Sequence, residues 1–203
     1  MRVIASFVTW FLFALCMTLL VLSTFTVMSL GGSCASGGPY VIAVPCPDSV
    51  AAFTPLSIIG GLVSVGLGFF FTAGFGMPLA TWSWPILFCG LGGIFLLEFF
   101  ATGDPTGLIL GLMFEIMGLV PLVLEFRGSP QRVFIGQFTA GGVQFYEGER
   151  ARRSLLSPRS PNPEGAVRPG VLHWVVALGL AIVGSFLGYQ VAMMWFLSFA
   201  PAQ

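Results

Sequence analysis

Two glutamates, Glu98 and Glu115, stand inside otherwise uncharged apolar runs of this chain. An ionisable group in hydrocarbon must find a partner, a proton or water, so each is a candidate for proton relay, cation coordination or a structural hydrogen bond. Counted back from the turn between their helices, they lie roughly 6 and 11 Å below the outer membrane boundary. The turn is too short to let the helices separate, so antiparallel neighbours with both carboxyl groups in the outer half are expected. Gln190, Ser64 and Thr24 fall in a similar band, which predicts an intramembrane polar layer of Glu98, Glu115 and Gln190. Two carboxylates close together in a low dielectric cannot both remain ionised, and one that holds a proton can pass it on. No Lys, Arg or His completes a relay within the spans, however, and this weighs toward structural or interfacial use.

Four cysteines divide into two pairs. Cys34 and Cys46 bracket a loop rich in Gly and Pro, and closing a loop of about 13 residues by a disulfide would stabilise it by roughly 3 kcal/mol. Redox-active pairs are usually spaced Cys-x-x-Cys, so thiol oxidoreductase chemistry is disfavoured here. Lipidation at Cys34 is not expected, because Gly31 stands where such signals usually carry Leu. Cys16 and Cys89 fall inside helices, at about 20 and 6 Å from the inner ends, a depth difference that predicts separate, packed apolar thiols. The lone histidine, His173, opens the last apolar run beside Trp174 and reads as an interfacial residue. Gly90, Gly92 and Gly93 lie mid-span with no following lysine, so they are assigned to packing and not to phosphate binding. No metal site and no cofactor are expected.

These residues need a membrane to sit in. Of 203 residues 56% are hydrophobic and only 8% are charged, against about 25% charged in soluble domains. Eight arginines balance eight acidic residues, so nucleic acid is not an expected partner. Five runs approach the roughly 20 residues that cross a bilayer: Val3 to Leu30, Pro55 to Phe75, Pro85 to Phe100, Leu108 to Leu124 and Val171 to Phe199. The first is too long for the apolar part of a removable signal peptide and is read as a retained anchor. The fold class is therefore an all-α integral membrane protein of about five transmembrane helices with a small cytoplasmic hairpin and linker. Residues 1–126 form a four-helix region with an extracytoplasmic disulfide loop at 31–53. Residues 127–170 are a cytoplasmic loop, and 171–203 hold the fifth helix and an outside C-terminus.

Orientation follows from the arginines. Arg2 precedes the first run, and the other seven lie between the fourth and fifth; five crossings starting inside keep them all in the cytoplasm. The segment Gly76 to Trp84 carries no charge, which leaves a re-entrant hairpin open there, although Trp82 and Trp84 suit an interfacial belt and favour two full spans. Glycine or serine pairs four apart, Ser64/Gly68, Gly107/Gly111 and Gly184/Gly188, mark expected helix contacts. In the cytoplasmic loop, Val133 to Tyr146 has β-formers on both sides of Thr139 to Gly142 and predicts a hairpin. Glu147 to Leu156 is expected as a short helix whose Arg150, Arg152 and Arg153 approach lipid headgroups. Ser157 to Gly170, rich in Pro and Ser, is expected as a flexible linker.

The loop from Gly31 to Val50, GGSCASGGPYVIAVPCPDSV, resembles one found in uncharacterised small polytopic membrane proteins of actinobacteria, and the absence of lysine suits a high-GC genome. The resemblance implies an envelope location in the bacterial plasma membrane and no particular reaction. With no nucleophile and base, paired metal ligands or phosphate loop in sight, the expected role is a non-catalytic accessory or scaffolding subunit of a larger membrane complex. Its partners would be membrane lipids and other integral membrane subunits. The alternative is a small transporter, channel or proton-linked carrier using Glu98 and Glu115.

Overall fold

The computed structural model describes residues 2–30, 46–72, 79, 82–128, 144–146, 165–167 and 170–199. Five helices, α1 Arg2–Ser29, α2 Asp48–Thr72, α3 Ser83–Thr102, α4 Pro105–Gly128 and α5 Val171–Phe199, account for the five apolar runs. Each is long and apolar enough to cross a membrane. The chain is a multi-pass membrane protein, with five such helices among the described residues. The second helix starts seven residues earlier than Pro55, where its run begins, because Asp48 supplies a charge favourable to a helix start and the Pro47 carbonyl accepts from Val50 and Ala51 N–H.

The α3–α4 turn shows how tightly the local chemistry fixes the pair. Gly103 takes the left-handed conformation, φ 75°, which costs a residue without Cβ nothing, and its N–H reaches the Phe99 carbonyl at 2.8 Å. Asp104 then accepts from Thr106 N–H at 2.9 Å, and Pro105 occupies the first helical position, where a missing N–H does no harm. Two residues therefore reverse the chain.

Glycines set the packing directions. A methyl group placed on Gly184 would lie 3.0 Å from the Phe7 carbonyl, and one on Gly188 would strike the Phe11 carbonyl. Moving four residues along α5 thus moves four along α1 in the same sense, so these helices are parallel, with their N-terminal ends at the same end of the bundle. Gly68 faces Thr9 while Gly60 faces Cys16, which makes α2 antiparallel to α1. The core follows the same contacts: Trp10, Phe13, Val65, Leu87 and Phe88 form one buried cluster, and Leu15, Cys16, Leu19, Phe53 and Ala192 another. The first helix is the central post, with α2 and α5 packed along it and the α3–α4 hairpin against the first cluster.

One expectation for the loop between α4 and α5 changes. The strand β1, Gln144–Tyr146, pairs in parallel with β2, Gly165–Val167, so three residues of the expected linker form a strand. The first arm of the expected hairpin and the expected helix with Arg150, Arg152 and Arg153 lie outside the described residues, as does Cys34.

Candidate functional site

Glu115 of α4 is packed closely on a neighbouring helix. It lies over Gly92 of α3: a methyl on Gly92 would stand 2.9 Å from its Cγ, 3.0 Å from its Oε1 and 3.0 Å from the Gly111 carbonyl. The Cys89 thiol donates a hydrogen bond to the Glu115 carboxyl group. Cys89 is in turn held against Gly118, where a methyl would come within 2.6 Å of Sγ and 3.2 Å of the Cys89 nitrogen. Spacing explains the arrangement. Gly111, Glu115 and Gly118 lie on one stripe of α4, as Cys89, Gly92 and Leu96 do on α3. The missing glycine side chains let the backbones approach, and Glu115 and Cys89 fill the seam. Stacked rings flank it, with Phe114 5.7 Å from Phe95 and 6.3 Å from Phe88.

The expected polar layer is not brought together. Gly92, which Glu115 covers, precedes Glu98 by six positions, about 9 Å along the axis and about 120° around it. Glu98 is half-buried near the C-terminal end of α3, where Thr102 Oγ1 donates to its backbone carbonyl at 2.9 Å. Glu115 is deeper than its run suggested, about 15 Å along α4 from Pro105, and Gly90 beside it in sequence to Cys89 abuts Met17 near the middle of α1. Gln190 is exposed on α5, away from both glutamates' helices. Ser64 and Thr24 bond within their own helices, to the carbonyls of Gly61 and Leu20.

Three roles escaped the reading of the sequence. Cys89 is a hydrogen-bond donor and not simply a packed apolar thiol. It also sits close in height to Cys16, because the start of α3 is inset from the N-terminal end of α1: Leu87 and Phe88 cluster with Trp10 and Phe13. Both thiols are free. Trp84, expected only as a belt residue, donates its indole N–H to the Met117 carbonyl at 2.9 Å. Pro121 signals this site, since a proline leaves the carbonyl four residues earlier without its helical donor. His173 is buried at the first turn of α5, where Nδ1 accepts from the Gly170 N–H at 3.3 Å while His173 N–H donates to the Gly170 carbonyl at 3.0 Å. The bond from Gly170 N–H to the ring is one half of a capping box, with histidine in the place usually taken by Glu or Gln.

Among the described residues no group of three or more His, Cys, Asp or Glu is placed to hold a metal ion. What fold and seam define is an α-helical multi-pass membrane protein with a half-buried carboxyl-thiol contact between two of its helices. Compared with family models, curated proteins and solved structures, the chain matches none.

Proposed function

We propose that the chain is a non-catalytic accessory or scaffolding subunit of a larger cell-envelope membrane complex in the bacterial plasma membrane. The observation that carries this reading is the isolation of Glu115: it is occupied by Cys89 and glycine backbone, and stands about 9 Å along the axis from the level of Glu98. Such a carboxyl group serves as a helix-to-helix hydrogen bond, and a relay would need a successor within reach. The resemblance of the Gly31 to Val50 loop supports the envelope location.

The starts of α1 and α5 lie at one end of the bundle because these helices are parallel, and Arg2 opens α1 while the six arginines of 129–170 precede α5 in sequence; this supports placing that end in the cytoplasm and the C-terminus outside. In this reading Arg150, Arg152 and Arg153 contact anionic headgroups. Cys46, just before α2 and not among the free thiols, pairs with Cys34 on the outer side. Affinity isolation in a mild detergent tests the role: a stoichiometric membrane partner supports it.

The second reading, a small carrier or channel, draws on the depth of Glu115 near the bilayer centre. It requires ion uptake by the chain alone in liposomes, abolished by Glu115→Gln.

A further inference from the structure

Gln190 is a polar residue in the wrong place for a monomer. On α5, Gly184 and Gly188 face α1, and Gln190 is turned about 200° around the helix from Gly188. It is exposed. It stands five residues beyond Ser185, the midpoint of the 29-residue helix, hence about 8 Å from the midpoint, inside a hydrocarbon layer with a half-thickness of about 15 Å. Among the described residues no side chain is hydrogen-bonded to it. An amide facing acyl chains leaves two N–H donors and a carbonyl without water or partner, which is costly.

Residues at seven-residue intervals share its face of the helix. Gly179, Phe186 and Met193 form one series and Val183, Gln190 and Leu197 the other, alternating by four and three along a single face. Val183, Phe186 and Leu197 are 51, 59 and 62% exposed, and nothing lies within 4 Å of where a methyl on Gly179 would stand. This is the spacing of a left-handed two-helix seam, with a small residue at one end and one amide inside it. We propose that this face of α5 binds the same face of a second copy of the chain. Two copies inserted in the same sense run parallel, so a two-fold axis brings Gln190 to Gln190 at equal depth. An amide carries both donor and acceptor, and the pair satisfies itself. Symmetry supplies the matching amide from an identical copy, whereas an unrelated helix would need one of its own at that depth.

The test is the dimer dissociation constant of the full chain in liposomes, read by energy transfer between donor- and acceptor-labelled copies. Gln190→Leu weakens the dimer roughly tenfold, while Gln190→Asn, which keeps the amide, holds it near wild type. Cysteines placed at Val183 or Leu197 cross-link between copies, and those at exposed Leu178 and Leu187, to either side of the seam, do not. A monomeric wild type, an undiminished Gln190→Leu dimer, or cross-linking without this periodicity overturns the proposal. The measurement uses the purified chain, so failure to find a larger partner, which counts against the accessory role, leaves this result untouched.

Discussion

The indole nitrogen of Trp84 lies 2.9 Å from the carbonyl oxygen of Met117, the α4 carbonyl that Pro121 leaves without a helical donor. A proline inside a transmembrane helix strands a polar group where no water can satisfy it, and here a neighbouring helix does so. Because the bond joins the start of α3 to the lower half of α4, it closes the hairpin at the end opposite the Gly103 turn.

Trp84→Phe keeps the ring and removes the donor. It should lower the stability of the protein by about 1 kcal/mol in reversible unfolding from mixed micelles. Pro121→Ala restores an N–H to α4, so in that background the same substitution should cost little. Equal losses in both backgrounds would show that the indole bond has no link to the proline.

Small residues differ sharply in what surrounds them. Gly184→Ala and Gly188→Ala push a methyl into α1 backbone and should each cost about 1–3 kcal/mol. Gly66 and Gly93 have nothing within 4 Å of a new methyl, and alanine there should be neutral or mildly stabilising. Unfolding curves for the four variants would refute the parallel α1–α5 contact if all behaved alike.

At the α3–α4 seam, Glu115→Gln keeps size and hydrogen bonding and should stay within about 1 kcal/mol of wild type, whereas Glu115→Leu should lose about 1–3 kcal/mol. Cys89→Ser preserves a donor and should be milder than Cys89→Val. The same substitutions at Glu98, which has no such contact, should have smaller effects. A Glu98→Leu loss equal to that of Glu115→Leu would contradict the placement of these groups.

Mass spectrometry of alkylated, unreduced protein should find Cys34 joined to Cys46 while Cys16 and Cys89 remain thiols. Labelling of both Cys34 and Cys46 in freshly isolated membranes would remove the outer staple from this account.

The spans were legible because hydropathy over some 20 residues is a property of the run itself, and Val171–Phe199 is reproduced residue for residue. The glycine pairs were legible for the same reason: Gly107 and Gly111 show their spacing in one helix and pack on Phe95, Phe99 and Leu96 of α3. What stayed hidden depends on the height of one helix against another. Counting from run ends put Cys89 near the inner surface and far from Cys16, yet α3 begins inset, and no residue in Ser83–Thr102 announces that offset. The supposed partnership of Glu98, Glu115 and Gln190 failed likewise, because counting along each run shows neither the roughly 9 Å between the levels of Glu98 and Glu115 nor the side of the helix on which a residue stands. The pairing of β1 with β2 was missed because a short parallel pair has no local turn to reveal it.

The central claim is that this chain serves as a part of something larger. Isolation of the tagged protein from native membranes in a mild detergent, with proteins quantified by mass spectrometry, tests it most directly. The account predicts at least one other integral membrane protein in fixed proportion, retained by Glu115→Gln and depleted by Glu115→Leu. Recovery of the chain with no other protein, together with ion uptake in liposomes that Glu115→Gln abolishes, would contradict it.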